Sequence, residues 1–275
     1  MSSIDYDKLS AKAKDIRIDI IKSLYHAGSG HPGGSLSATD ILTVLYFYEM
    51  NVDPGNPKMK DRDKFVLSKG HAGPVLYSTL AEKGFFPKSE LSTLRKLGSK
   101  LQGHPDMELV PGVEMSTGSL GQGFSTAIGM ALAGKLDNSH GRVYTLLGDG
   151  ELQEGIVWEA SMAAAHYKLD NLCVIVDWNG LQIDGFNDEV MTVTPIPEKF
   201  NAFGFETIEI DGHSPKQIVE ALAKAKTVKG KPTAIIAKTV KGKGVSFMEN
   251  QASWHGAAPN EEQAKEAVKE LGGEW

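Results

Sequence analysis

The sequence is poor in several features, and each scarcity excludes something. It has one cysteine, Cys173, so no internal disulfide can form. That thiol lies in the apolar run 172–176, where a free cysteine ordinarily serves as a small core residue. No apolar stretch approaches the ~20 residues of a membrane span, and no signal-peptide pattern is present. A cytoplasmic protein without a membrane partner is expected. Positive charge is not in surplus: 29 Lys and Arg against 35 Asp and Glu give a net charge of −6. With no long like-charge block, this weighs against a nucleic-acid surface. Internal repeats, low-complexity tracts and Pro/Ser linkers are absent. So is His-Glu-x-x-His, and no two histidines share ligand spacing on one helix, which weighs against a zinc hydrolase.

What is present is glycine, 30 in 275 residues, much of it clustered beside histidine or aspartate. A 41% hydrophobic fraction is ordinary for a globular chain, and the length suits one α/β domain over 1–275. Leu9, Ala13, Ile16, Ile20 and Leu24 fall at helical spacing and predict an amphipathic helix over 5–26. A second helix is expected over 38–50, a short strand at 65–67, then helices over 72–83, 88–97 and 120–135, with a loop at 98–118. Val143–Leu147 and Leu172–Val176 read as strands buried on both faces, separated by a helix over 151–166. That order predicts a right-handed crossover and a mostly parallel sheet. Strands at 206–210 and 233–237, a helix at 215–226, a loop at 238–256 and a helix at 260–271 complete a single doubly wound domain.

Ligands of parallel sheets bind beyond the carboxyl ends of the strands. One such end carries Gly148-Asp149-Gly150, the next Asp177-Trp178-Asn179-Gly180-Leu181. A carboxylate and an amide carbonyl from neighbouring strand ends make a hard-oxygen site for Mg²⁺ or Ca²⁺ that leaves positions for phosphate oxygens. The glycines let backbone N–H groups approach a diphosphate, and the helix that follows adds its positive end. Gly-Asp-Gly alone is equally a plain turn; its place in a strand–helix–strand unit favours the site.

The sequence has eight histidines. For a single loop histidine the ordinary role is a solvated or satisfied side chain. His26 and His166 end helices, where a cation caps favourably. Lys238, Lys241 and Lys243 read either as a solvated loop or as a flap beside bound phosphates. Asp211-Gly212-His213 is taken as structural.

Gly148-Asp149-Gly150 followed about thirty residues later by Asn179 resembles the thiamine-diphosphate motif. The neighbouring Glu151–Gly155 and Asn179–Gly185 resemble transketolase in particular. So do Ser29-Gly30-His31-Pro32-Gly33, Ser68-Lys69-Gly70-His71, Gly103-His104-Pro105-Asp106, Ser116–Gly123 and His255-Gly256-Ala257, in the family's order over nearly the whole chain. Trp178 and Ser119 are modest departures from the family pattern.

The resemblance implies the thiamine-diphosphate-binding fold. Asp149, Asn179 and the Leu181 carbonyl would hold Mg²⁺, with Ca²⁺ or Mn²⁺ as alternatives. His71, Gly150 and His255 would contact the diphosphate, Gly118 and Leu120 the aminopyrimidine, and Glu154 a carboxylate network joining two active sites. His31 and His255 would bind the substrate oxygen and move protons, and His104 would hold the donor's terminal hydroxyl. The implied activity is ketol transfer between sugar phosphates, as in the pentose phosphate pathway. The resemblance covers only the first half of a transketolase, so a separate C-terminal subunit carrying the pyrimidine domain is expected, in an α2β2 assembly. That half would supply most groups that grip the substrate's phosphate. The ending Leu271–Trp275 is expected to be a natural terminus. Alternatives are a subunit of another thiamine-diphosphate ketol transferase or synthase, and a non-catalytic cofactor-binding homologue.

Overall fold

The computed structural model describes residues 4–275, so residues 1–3 of the expected 1–275 domain lie outside the described residues. The helices are α1 (Tyr6–Ala27), α2 (Pro32–Ser37), α3 (Thr39–Val44), α4 (Gly73–Lys83), α5 (Gln122–Leu136), α6 (Gly155–His166), α7 (Asn187–Val190), α8 (Ile196–Ala202), α9 (Pro215–Thr227) and α10 (Glu261–Glu270). The strands are β1 (Lys64–Leu67), β2 (Val143–Gly148), β3 (Leu172–Trp178), β4 (Glu206–Asp211) and β5 (Thr233–Lys238). They form one sheet in the order β1-β2-β3-β5-β4, and every pairing is parallel.

Alternation along the strands sorts the core into two layers. Tyr144, Leu146, Cys173 and Ile175 face α1, α3, α4, α9 and α10. Val143, Leu147, Val174 and Val176 face α5, α6 and α8. Each such aliphatic side chain, withdrawn from water, contributes about 1.5–3 kcal/mol. The lone thiol of Cys173 is fully buried in this core, and burial pushes it up to about 12. Helix α1 begins at the Asp5 cap, whose carboxylate accepts the Lys8 N–H at 2.9 Å, and buries the predicted stripe. Its Arg17 donates to Asp40 of α3 at 2.6 Å. Asp40 also meets His213 Nδ1 at 2.8 Å, while His213 Nε2 accepts the Val240 N–H at 2.8 Å. Both ring nitrogens are thus used to tie loops together, which is a structural role.

Three expectations shift. The helix at 38–50 is α3 followed by a π-helical turn, Leu45–Glu49. The helix at 88–97 stops as a 3-10 segment, Lys88–Thr93, because Leu94 turns extended and Arg95 takes φ 59. Helix 151–166 opens with a 3-10 turn, Gly150–Gln153, before α6 starts at Gly155. Helices α2, α7 and α8 were not anticipated. Among the described residues, no helix is long and apolar enough to cross a membrane.

Candidate active site

The register decides the site. Gly148 of β2 stands opposite Asp177 of β3, so Asp149 and Asn179 leave the sheet side by side at its carboxyl edge. There they wall a cavity of about 300 Å³. Asp149 is 2% exposed. Its Oδ1 accepts the Gly150 N–H at 2.8 Å and its Oδ2 the Gly180 N–H at 2.5 Å. Burial raises its pKa to about 6, the Asp177 charge adds to that, and the two backbone donors and Lys241 oppose it. Asn179 Oδ1 accepts the Leu181 N–H at 3.2 Å. The Leu181 carbonyl accepts a cationic donor, Lys241 Nζ, at 3.0 Å.

Behind this corner lies a buried ion pair. Lys69 donates to Asp177 and, at 2.8 Å, to the Gly34 carbonyl. Ser37 donates to the same carboxylate at 2.5 Å, and Thr239 donates as well. Burial alone would raise Asp177; the Lys69 ammonium beside it holds it below the usual carboxylate range. Glu151 accepts Ser68 Oγ and the N–H groups of Gly121 and Gly148, the latter two at 2.7 and 3.0 Å. It therefore pins three of the motif segments together from beneath.

Imidazoles line the opposite wall. His71 stacks on His255 with centroids 5.1 Å apart, and His31 lies 5.3 Å from His71, 5.5 Å from His255 and 6.5 Å from His104. Burial lowers His31 to about 4, helped by the charges of Arg95, His104 and Lys241. Burial and Lys241 lower His255 to about 3. Burial and Lys69 hold His71 well below its ordinary value, and burial and Arg95 lower His104. All four rings are neutral near pH 7, each able to donate one hydrogen bond and accept another. His31 Nδ1 is buried without a partner among the described residues, so it is free to meet a bound molecule.

The cavity is lined by His31, His71, Gly118, Leu120, Asp149, Gly150, Glu154, Asn179, Leu181 and His255 of the residues expected at a site. His104, also expected there, is not among the lining residues; its ring lies 6.5 Å from that of His31. Lys241 is the main residue that sequence reasoning left undecided. It is 2% exposed and bridges the Leu181 carbonyl and His255 Nδ1, 3.0 Å from each. The solvated-loop reading fails for it. Burial lowers its ammonium to about 8, with Lys69 adding to the effect. Asn187 was missed too: its buried amide has no partner among the described residues and lies beside Gly150. No sequence pattern distinguished it.

Among the described residues, no three His, Cys, Asp or Glu side chains are grouped to hold a metal ion. The hard-oxygen residues that line the cavity are instead Asp149, Asn179 and Leu181, offering a carboxylate, an amide oxygen and a backbone carbonyl. Hard oxygens of that kind fit Mg²⁺ or Ca²⁺ with phosphate completing the shell, and do not fit zinc. The carbonyl that already accepts an ammonium and the unpartnered His31 nitrogen fit a charged, polar occupant.

Comparison with known proteins agrees with this geometry. Residues 8–274 match the family described as transketolase, thiamine diphosphate binding domain. The chain is 46% identical to a 6-deoxy-6-sulfo-D-fructose transketolase subunit of Clostridium sp. (strain MSTE9), covering 96% of both chains. It is 44% identical to an apulose-4-phosphate transketolase subunit of Phocaeicola vulgatus, over 96% of this chain and 94% of that one. The crystal structure of transketolase from Campylobacter jejuni superposes with a TM-score of 0.93 at 38% identity. The match covers 98% of this chain but 44% of that one, so the chain spans less than half of that transketolase.

Proposed function

The chain belongs to the transketolase family as its thiamine diphosphate-binding domain, and on that footing we propose that residues 1–275 form one such domain which, with a partner subunit, transfers a two-carbon ketol unit from a ketose phosphate to an aldose phosphate. The observation that carries the reading is the meeting of neutral imidazoles and a hard-oxygen corner across one cavity. When bound, thiamine diphosphate supplies a nucleophilic carbon and an electron sink for carbon–carbon cleavage.

Asp149, Asn179 and the Leu181 carbonyl would hold Mg²⁺, with Ca²⁺ or Mn²⁺ as alternatives. His71, His255, Lys241 and the Gly150 N–H would hold the diphosphate, and the backbone at Gly118 and Leu120 the aminopyrimidine. Glu154 would belong to a carboxylate network between two active sites. His31 and His255 would donate to the substrate oxygen as charge develops there and return the proton afterwards. Their lowered proton affinity keeps both rings neutral before the reaction, as hydrogen-bond donors to that oxygen. His104 would hold the donor's terminal hydroxyl.

The partner in this proposal is a C-terminal subunit carrying the pyrimidine domain, in an α2β2 assembly in the cytoplasm. Two relatives similar over nearly their full length are themselves named as subunits. Their names also favour a second reading, in which the donor is a specialised ketose. The test is reconstitution. This chain, with cofactor and metal, is assayed alone and with the pyrimidine-domain subunit. Ketol transfer is expected only from the mixture, and full turnover by the chain alone would overturn the two-chain reading.

A further inference from the structure

A hydrogen-bonded relay runs from the helices on one face of the sheet to the segment that carries Lys241. Arg17 of α1 donates to both oxygens of Asp40 of α3, at 3.2 and 2.6 Å, and to the Leu36 carbonyl of α2 at 3.4 Å. Burial alone would raise Asp40, but His213 and Arg17 hold it below the usual carboxylate range. An ionised carboxylate can only accept. The proton of the His213 ring therefore sits on Nδ1, 2.8 Å from Asp40 Oδ2. Nε2 is left as an acceptor, and it takes the Val240 N–H at 2.8 Å.

Val240 immediately precedes Lys241. Its neighbours are anchored as well: the Gly212 N–H donates to the Lys238 carbonyl at 2.8 Å, the Thr239 N–H to the Trp178 carbonyl at 3.0 Å and the Gly242 N–H to the Gly33 carbonyl at 3.0 Å. Those three anchors join backbone to backbone, whereas the one on Val240 depends on a side chain. The relay also touches the segment beyond Lys241, since a Cβ on Gly244 would lie 3.3 Å from Arg17 Cδ. Lys241 lines the cavity at 2% exposure, with its Nζ 3.0 Å from both the Leu181 carbonyl and His255 Nδ1. A buried ammonium that bridges two fixed acceptors is sensitive to the direction in which its backbone delivers it. Without His213 the half-buried Val240 N–H has to turn to find another acceptor, and the peptide that turns leads into Lys241.

We propose that His213 is a positioning residue for cofactor binding: by accepting the Val240 N–H it aims the Lys241 ammonium into the cavity. This rests on the reading above in which Lys241 holds the diphosphate. The turn Asp211-Gly212-His213, taken from its sequence as structural, then has an effect at the site.

Thiamine diphosphate with Mg²⁺ is titrated by calorimetry into wild type, His213→Phe, Lys241→Met and the double variant. Phenylalanine keeps a ring and removes the acceptor. His213→Phe is expected to weaken binding about tenfold, as loss of a residue that orients a ligand does. Lys241→Met should weaken it at least as much. In the Lys241→Met background, His213→Phe should cost no more than about a further twofold, because effects that pass through one side chain do not add. The same loss in both backgrounds would overturn the proposal, since His213 would then only support the fold. Loss by Lys241→Met with none by His213→Phe would overturn it too, while leaving the lysine on the diphosphate. Unchanged binding by Lys241→Met would remove both the lysine and the proposal. His213→Gln, whose amide can accept from Val240 and donate to Asp40, should bind within about threefold of wild type. That variant judges the proposal even where phenylalanine prevents folding: a loss of about tenfold or more with glutamine would overturn it.

Discussion

Asp149 is the carboxylate of the proposed cation site, and its surroundings make the consequence of losing it specific. In the metal-free chain it is a buried carboxylate held by two backbone N–H groups, with its pKa raised by burial and then by Asp177. Removing it relieves a buried charge but strands the Gly150 and Gly180 N–H groups, and the two effects oppose each other. Asp149→Ala is therefore expected to shift the stability of the metal-free protein by no more than about 2 kcal/mol. Metal-dependent affinity for thiamine diphosphate should fall on the order of a hundredfold or more, since a first ligand outweighs the residues that orient it. Calorimetry with and without Mg²⁺ measures both; unchanged affinity would remove Asp149 from the site. Asp149 and Asn179 were legible because their spacing across one strand–helix–strand unit leaves few other places for them. Lys241 was not. Lys238, Lys241 and Lys243 look alike in sequence, yet Lys238 lies over the exposed side of Trp178 and Lys243 pairs with Glu249. Only the path of the loop turns Lys241 inward.

That path is a property of the element spanning 239–256. The Gly242 N–H donates to the Gly33 carbonyl at 3.0 Å and the Asn250 N–H to the Lys241 carbonyl at 2.9 Å. The segment straps the start of α2 to the Leu181 corner and sets Lys241 and His255 together. Gly242 sits at φ +80, and a Cβ there would meet the Met248 carbonyl oxygen at 2.3 Å. Gly242→Ala is expected to cost about 1–3 kcal/mol in chemical denaturation and to weaken cofactor binding, because Lys241 and His255, both proposed to hold the diphosphate, ride on the strap. Gly230→Ala is the control: its φ of +72 imposes similar strain, but open space surrounds it. Cofactor affinity should be untouched there, and equal loss in the two variants would detach the strap from the site. Element identity followed from apolar period wherever packing demanded it, as in α1, β2 and β3. It failed where local backbone geometry ended a pattern early, as Arg95 does after Lys88–Thr93. It also failed for α7 and α8, which are too short to show a period between Pro195, Pro197 and the polar run before them.

At the scale of the whole molecule, strand order was the least legible feature. The insertion of β5 between β3 and β4 depends on which helices cover which face, and the apolar runs are silent on that. The parallel direction, by contrast, followed from the alternation of strand and helix. What the assembled fold adds is a cluster of neutral histidines that the unfolded chain does not have. His31 and His255 fall to about 4 and about 3 from an ordinary 6.5, and His71 and His104 also fall. Burial is the leading cause for each. As pH drops below the unfolded value, the unfolded chain binds protons that the folded one refuses. The histidines therefore contribute stability above pH 6.5 that is lost as pH falls toward their folded values. Asp149 acts oppositely: raised to about 6, it binds its proton more readily when folded, so its contribution is lost as pH rises through that value. Asp19, also raised to about 6, and Asp63, Glu114 and Glu151, whose burial raises them too, act with Asp149, so the histidine contribution is read as the stability of wild type minus that of a His31→Asn, His255→Asn variant. Each proton taken up on unfolding tilts stability by at most about 1.4 kcal/mol per pH unit, and by less for partly exposed His31, His104 and His255, where water screens the cost. That difference should fall between about pH 7 and about pH 5, measured by chemical denaturation of the two metal-free proteins. A gain over that range would mean that the imidazoles are not neutral in the folded chain, and the proton chemistry assigned to His31 and His255 would lose its basis.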